Sequence, residues 1–450
     1  MLKRDRPPTA LLIQPPVYDF ALYDLFFKPY GLLRIGRWLE TSGWQVRYLN
    51  ALDYRDPATN AVLGAPRRNP DGTGKFPKRE AVKPRALRDV PRRYSRYGIL
   101  PQEMERRIAL VQPDLVLLTS QMTYWYPGVA EAAAAARRSA PQAPLAVGGV
   151  YAALMPEHCR GVTGADAVFA GRVEEEFPAF CRREGLPEPR GPLPGEPLMR
   201  PGIWEEAAVV RLNRGCPYSC DYCASSLLEP GFAAREPEEL FGDLERLHRR
   251  YGTRNVAFYD DALLVNKEQG LLPLLEMVIR SGMELSFYTP NAVHLREVDA
   301  ETAQLMHRAG FQEVRLGYET ADEEFHRRRD RKYTQAEVHP AISALKAAGF
   351  SGRSLVLYVL AGLPGQAPFE VEETIRRASA YGARVSVAEY SPVPGTAMWA
   401  ESVRESRYDL EAEPLYHNNT LFPLERPGFD RRELERLKRL SRVLCAHRHL

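Results

Sequence analysis

Two runs of alternating apolar strands and amphipathic helices, divided by a stretch rich in proline and glycine, predict an α/β protein. The expected architecture is a doubly wound, Rossmann-like N-terminal domain, then a partial (β/α)6 TIM-type barrel and a short helical C-terminus. Each run must bury a parallel sheet between helices, and 450 residues with 44% hydrophobic and 26% charged side chains supply enough core for both. The expected boundaries are 1–183 for the first domain, 184–202 (EGLPEPRGPLPGEPLMRPG) for the linker, 203–400 for the barrel and 401–450 for the C-terminal extension.

In the first run TALLIQPP (9–16) reads as a strand, GLLRIGRWLETSGW (31–44) as an amphipathic helix and QVRYLNALD (45–53) as the next strand, an opening βαβ unit. PDLVLLTS (113–120), a helix through GVAEAAAAARRS (128–139), PLAVGG (144–149), ADAVFAG (165–171) and a helix from about 175 complete a doubly wound sheet.

The second run begins with AAVVRL (207–212) and a helix over about 236–251, then VAFYDD (256–261) and a helix to about 281. ELSFYT (284–289) precedes a helix over 299–309, EVRLGYE (313–319) one over 334–348, SLVLYVLAGLPG (354–365) one over 369–381, and RVSVAEY (384–390) closes the series. Six strand–helix units are too few for an eight-stranded barrel, so the barrel is expected to be open, with its ligand site at the C-terminal ends of the strands. A final helix over 430–446 has the charge pattern of a packing element.

Directly after the first strand of this series comes RGCPYSCDYCAS, with Cys216, Cys220 and Cys223 in C-x3-C-x2-C spacing. Three thiolates leave one iron of a four-iron cluster without a protein ligand, and a metal with an open position can bind a substrate or cofactor. Structural zinc would call for a fourth ligand, usually from a second C-x2-C or a Cys/His pair, and none follows. Six cysteines in 450 residues, with nothing marking the chain for secretion, argue against a disulfide. Cys159, Cys181 and Cys445 are expected to be structural or incidental.

At these residues the chain resembles the radical S-adenosylmethionine (SAM) superfamily, in which C-x3-C-x2-C holds a 4Fe-4S cluster and S-adenosyl-L-methionine chelates the free iron. The resemblance implies that Tyr222 sits beside the adenine, although an aromatic there also packs the loop. It further implies that Asp260 or Asp261 meets the SAM amino group and that Glu319, in LGYET, meets the ribose or amino group. FYDD stands where Gly-Gly-Glu is commoner, so the contact falls to either aspartate. Asn291 follows the third strand, Arg315 offers a bidentate donor for the SAM carboxylate, and Gly362 would let backbone approach the ligand, or merely shape a turn. The chemistry implied is reductive cleavage of SAM to a 5′-deoxyadenosyl radical, which abstracts hydrogen from an unactivated carbon. The protein then binds, orients and excludes water. No catalytic triad or H-E-x-x-H pattern is legible, and His158, His294 and His307 read as surface or packing residues.

The order of the two domains is similar to that of the cobalamin-binding radical SAM class, on GLLRIGRWLETSGWQVRYLNALD, PDLVLLTS, VGGVYAALMPE and AGRVEEEF. By that resemblance Leu118, Thr119, Ser120, Gly148, Gly149 and Val150 line a bound cobalamin, and the D-x-H-x-x-G string of other cobalamin proteins is missing. The implied function is cobalamin-dependent C-methylation. A non-methylating ring closure, contraction or rearrangement is the first alternative, and a non-catalytic iron–sulfur or electron-transfer protein the second.

Residues 66–97 carry eleven Lys and Arg against three Asp and Glu, in a chain whose net charge is only +3. A solvated, partly disordered loop is the favoured reading. A grip on nucleic acid or a nucleotide-bearing cofactor, with Phe76, Tyr94 and Tyr97 as stacking groups, is the alternative. No stretch approaches the ~20 apolar residues of a membrane span and no signal peptide is legible, so a cytoplasmic protein is expected. Its expected partners are a small-molecule substrate and a one-electron reductant such as flavodoxin or ferredoxin.

Overall fold

The computed structural model describes residues 6–446. It forms two compact units that divide between Arg200 and Pro201, and the short segment Glu413–Leu415 belongs with the first.

The first unit is built on five parallel strands: β1 (Thr9–Gln14), β2 (Gln45–Asn50), β3 (Leu115–Ser120), β4 (Leu145–Gly149) and β5 (Ala167–Val168). They are ordered β2-β1-β3-β4-β5. Among its helices are α1 (Tyr30–Thr41), α2 (Tyr126–Ser139) and α3 (Val173–Arg183). Both faces of β1 are covered and all six of its residues are buried, which explains why it reads as a continuous apolar run. The strand order reverses between β1 and β3, and in such sheets the crevice outside the carboxyl ends at that reversal is where ligands bind.

Two expectations are corrected in this unit. The basic segment is folded: Val17–Asp19, Lys78–Glu80 and Ser95–Tyr97 form a three-stranded antiparallel sheet. Phe76, Tyr94 and Tyr97 are buried within it, so they are unavailable as stacking platforms. Arg96, only 1% exposed, forks onto Glu131 at 2.7–3.0 Å, and Tyr18 donates to the same carboxylate at 2.7 Å. Arg68 pairs with Asp24 at 2.8 Å and lies over the Tyr54 ring at 3.7 Å. Most of the segment's cations, among them Arg67, Lys75, Lys78 and Arg79, do face solvent, while Arg68 and Arg96 are drawn into ion pairs with residues distant in sequence. The stretch 184–200 is likewise no free linker. Leu198 is fully buried and its N–H donates to Leu33 O at 2.9 Å, Trp38 Nε1 donates to Gly191 O at 2.9 Å, and Arg200 pairs with Glu40 at 2.7 Å.

The second unit is one six-stranded parallel sheet, its strands side by side in chain order: β6 (Ala207–Val210), β7 (Asn255–Phe258), β8 (Ser286–Tyr288), β9 (Phe311–Glu319), β10 (Leu355–Ala361) and β11 (Arg384–Glu389). Helices α4 (Pro237–Tyr251), α5 (Leu271–Ser281), α6 (Ala300–Ala309), α7 (Gln335–Ala347) and α8 (Pro368–Ala380) connect them. The sheet does not close, and β6 and β11 remain its edges. Caps fix where helices begin: Asp299 accepts the Thr302 N–H at 2.8 Å, and Thr334 with Glu337 forms a capping box for α7. The last helix, α9 (Arg431–Ala446), packs on α8 and β11 through Arg436–Glu372 at 2.6 Å and Ser441 Oγ to Val385 O at 2.8 Å. It is therefore part of the second unit, not a separate extension. Among the described residues no helix is long and apolar enough to cross a membrane.

Candidate functional sites

The cysteine loop leaves the C-terminal end of β6, where the topology of an open parallel barrel places ligands. Cys220 is 8% exposed, while Cys216 and Cys223 are half-buried. Burial pushes the thiols of Cys216 and Cys220 up, that of Cys220 to about 12, and both also feel the charge of Cys223. Among the described residues no three His, Cys, Asp or Glu side chains converge tightly enough to hold one metal ion. Three thiols within electrostatic reach of one another suit a polynuclear group carried on three thiolates.

The loop is held from two sides. Asp221 donates its N–H to Arg329 O and accepts from the Met398 N–H, each at 2.9 Å, and its carboxylate pairs with Arg329, which also grips Glu401 at 3.0 Å. The segment His326–Asp330 after β9 forms a π-turn, a form found disproportionately at functional sites. His326 Nδ1 lies 2.9 Å from Asp330 Oδ1, and the other oxygen of Asp330 accepts from Tyr222 OH at 3.2 Å. The Tyr222 ring stacks on Phe325 at 6.1 Å, and Lys332 Nζ sits 5.2 Å from its centroid. Lys332 pairs with Glu319 at 3.1 Å. Burial opposes the charge of Lys332, but Glu319, Cys220 and Asp330 outweigh burial and hold the amine protonated. Glu319 itself takes φ of 55°, a left-handed conformation that a non-glycine residue keeps only where its surroundings enforce it.

The expected SAM contacts divide in two. Tyr222 and Glu319 lie on the cysteine side of the unit, and Asp261 is hydrogen-bonded to Ser225 beside Cys223. Four others make contacts within the protein. Asp260 is 2% exposed and accepts the N–H groups of Leu212 at 3.1 Å and Asn213 at 2.5 Å, and burial raises its carboxyl to about 7 despite those bonds. Its work is to fix the corner from which the cysteine loop departs. Arg315 is taken by Glu313 and by Tyr358 OH, both at 2.5 Å, and Asn291 donates to Tyr259 O at 3.1 Å. Gly362 is required by protein, not ligand: a Cβ there would lie 2.3 Å from the Phe422 ring.

Lys332, Asp330, His326 and Ser225 were missed. RRRDRK reads as a solvated charge run, and only the fold turns Asp330 and Lys332 inward. His294, expected at the surface or in packing, is a packing residue. It is 8% exposed and its ring lies 4.6 Å from that of Tyr218 in the cysteine loop. Burial, with Lys332 adding to it, pushes its pKa down to about 3.

In the first unit a small cavity opens at the β1/β3 reversal, lined by Gln14, Pro16, Phe27, Thr119, Ser120 and Trp125 among others. Thr119 and Ser120 were expected there. The Ser120 hydroxyl, however, donates to Gly148 O at 2.8 Å and accepts the Ala152 N–H at 3.2 Å, which ties β3 to β4. Leu118 belongs to the hydrophobic core. Gly149 has φ of 95°, and a Cβ on it would meet Ser120 O at 2.2 Å. The side of the pocket formed by Gln14, Pro16 and Phe27 was not foreseen, because nothing in QPP distinguishes it from a turn.

Residues 210–378 match the sequence model of the radical SAM superfamily, and residues 91–181 that of the B12 binding domain. An uncharacterized methyltransferase of Pyrococcus horikoshii is 26% identical over 253 residues, which is 54% of this chain and 52% of that protein. One from Synechocystis is 26% identical over 298 residues, 62% of this chain and 54% of that protein. The chain thus spans about half the length of these curated relatives. In fold it is similar to the radical SAM methyltransferase TsrM of Kitasatospora setae, a structure with cobalamin and a [4Fe-4S] cluster bound. That likeness has a TM-score of 0.66 at 16% identity and covers 92% of this chain and 85% of the other.

Proposed function

Since this chain belongs to the cobalamin-binding class of the radical SAM superfamily, we propose that it methylates an unactivated carbon of a small molecule, drawing single electrons from an external reductant in the cytoplasm. When bound, the cofactors would supply reductive cleavage of SAM to a carbon radical and a methyl group carried on a corrinoid. Cys216, Cys220 and Cys223 would hold the cluster. Tyr222, Asp261 and Glu319 would orient SAM, with Lys332 fixing Glu319 and Asp330 fixing Tyr222. Thr119, Gly148, Gly149 and Val150 would meet the corrinoid. Because Cys220 is buried and Tyr222 is packed on Phe325, the loop can keep water from a reactive radical.

The observation that carries the proposal is the placement of three thiols at the C-terminal end of the first strand of an open parallel sheet, in a chain that also has a ligand-type crevice in a B12-type sheet. The test is anaerobic reconstitution with iron, sulfide and hydroxocobalamin, followed by dithionite and SAM. Formation of 5′-deoxyadenosine and methionine is expected. Addition of one methylene to metabolites in cells that carry the gene, against cells that lack it, is expected as well. Absence of SAM cleavage with a full cluster would point to an electron carrier, and a product without the added mass to a non-methylating reaction.

A further inference from the structure

The cavity at the β1/β3 reversal contains one polar group that the fold leaves unsatisfied. Gln14 ends β1, is 2% exposed and lines the cavity. One end of its side-chain amide is paired, since Tyr48 OH donates to Oε1 at 2.7 Å, but Nε2 has no partner. Turning the amide over would not help, because it would leave the oxygen without a donor in place of the nitrogen without an acceptor. A buried donor without an acceptor costs roughly 1–3 kcal/mol. Leucine in its place would pack as well against Pro15, Pro16, Val17 and Phe27, so an amide here is a liability unless something brought into the cavity supplies an acceptor.

What surrounds the amide narrows the occupant. No charged side chain lines the cavity. Its walls are proline, phenylalanine, valine and tryptophan, and its polar members are Gln14, Thr119, Ser120 and Gln121. The Trp125 indole N–H is already given to Asp19 at 2.6 Å, and the Ser120 hydroxyl is engaged by Gly148 and Ala152. An apolar recess with an amide donor suits an uncharged ligand that carries carbonyl acceptors, and not a free phosphate or a metal ion. A corrin ring meets that description, for its rim is a set of carboxamide arms on an apolar macrocycle.

We propose that Gln14 is a cobalamin-positioning residue, its amide held through Oε1 by Tyr48 and its Nε2–H donated to a carboxamide oxygen on the corrin rim. The inference rests on the cobalamin reading above and adds to it a wall of the site, β1, that lies outside residues 91–181.

The test is titration of corrinoid-free protein with hydroxocobalamin, followed by corrin absorption and by quenching of tryptophan fluorescence, Trp125 being in the cavity wall. Gln14→Leu removes the amide at similar volume. Tyr48→Phe breaks the same Tyr48–Gln14 hydrogen bond from the far end and leaves the amide in place. The expectation is that Gln14→Leu raises Kd about tenfold, the loss of one hydrogen bond to a buried donor, while Tyr48→Phe stays within about threefold of the parent. A Gln14→Leu protein that binds like the parent overturns the inference and leaves the cobalamin reading standing. Equal weakening by both variants also overturns it, since the amide would then be structural. If the parent itself takes up no corrinoid, the cobalamin reading falls and Gln14 with it.

Discussion

The two ligand-facing ends of this protein are built on opposite plans. At the cysteine loop the charged groups mostly pair with one another, Lys332 with Glu319, Asp330 with His326 and Tyr222, Arg329 with Asp221 and Glu401, and the buried His294 Nδ1 beside Tyr218 is the exception. At the β1/β3 reversal the frame is mostly backbone, glycine and apolar wall, and Gln14 Nε2 is left open. The difference follows from what each end must hold. A metal cluster is fixed by covalent thiolate bonds, so neighbours serve to brace the loop, whereas a ligand held without such bonds needs donors kept in reserve.

The sharpest way to break this comparison is Cys220→Ala. If covalent ligation does the holding, the variant should lose iron and sulfide on reconstitution and all SAM cleavage, yet unfold with the parent's cooperativity, because its neighbours already satisfy one another. Metal analysis and 5′-deoxyadenosine quantification check this. A variant that keeps a full cluster would sink the assignment of the three thiols.

Next in size is Lys332→Met. It strands the Glu319 carboxylate, which is only 10% exposed, and removing one partner of a buried pair costs about 3 kcal/mol. Thermal unfolding should show the loss, and Lys332→Met with Glu319→Gln should recover most of it. A single variant as stable as the parent would mean that the bracing network is ornamental. In the first unit the comparable weak point is backbone. Gly149→Ala combines φ of 95° with a Cβ 2.2 Å from Ser120 O, so a loss of roughly 2 kcal/mol and weaker hydroxocobalamin uptake are expected. Unchanged melting would show that the β3–β4 edge yields more easily than its geometry implies.

The same contrast decides what could be read from sequence. The six strands of the second unit and the cysteine triad were legible because periodicity and spacing are local signals. So was the doubly wound sheet, down to β5. The bracing residues were not, since His326 and Asp330 acquire meaning only through a π-turn that carries Asp330 to Tyr222, 108 positions earlier. Arg96 shows the reverse error. It lies in a basic run that looks solvated, and its partner Glu131 is 35 positions away on α2. Arg315 and Asn291 were placed at the correct strand ends, but whether such a side chain faces ligand or neighbour depends on Glu313, Tyr358 and the Tyr259 carbonyl, which spacing does not reveal.

The smallest effect expected is electrochemical, and it refines the cysteine end alone. The three sulfurs do not have equal surroundings. Cys223 Sγ lies 3.2 Å from the Ser225 hydroxyl and 3.5 Å from the Ser225 N–H, whereas Cys220 Sγ faces the Asp330 carbonyl oxygen at 3.8 Å. Once Cys223 is an iron-bound thiolate it has no proton to give, so Ser225 becomes the donor in both contacts. Hydrogen bonds to cluster sulfur favour the reduced, more negative state. Ser225→Ala keeps the N–H and removes the hydroxyl. The reduction potential should therefore move negative by on the order of tens of millivolts, a fraction of one hydrogen bond's worth, at unchanged iron content. A redox titration followed by electron paramagnetic resonance reads that shift. An unmoved potential would place the hydroxyl proton on Asp261 and leave the backbone N–H as the donor to that sulfur, in which case Asp261→Asn should move the potential where Ser225→Ala did not.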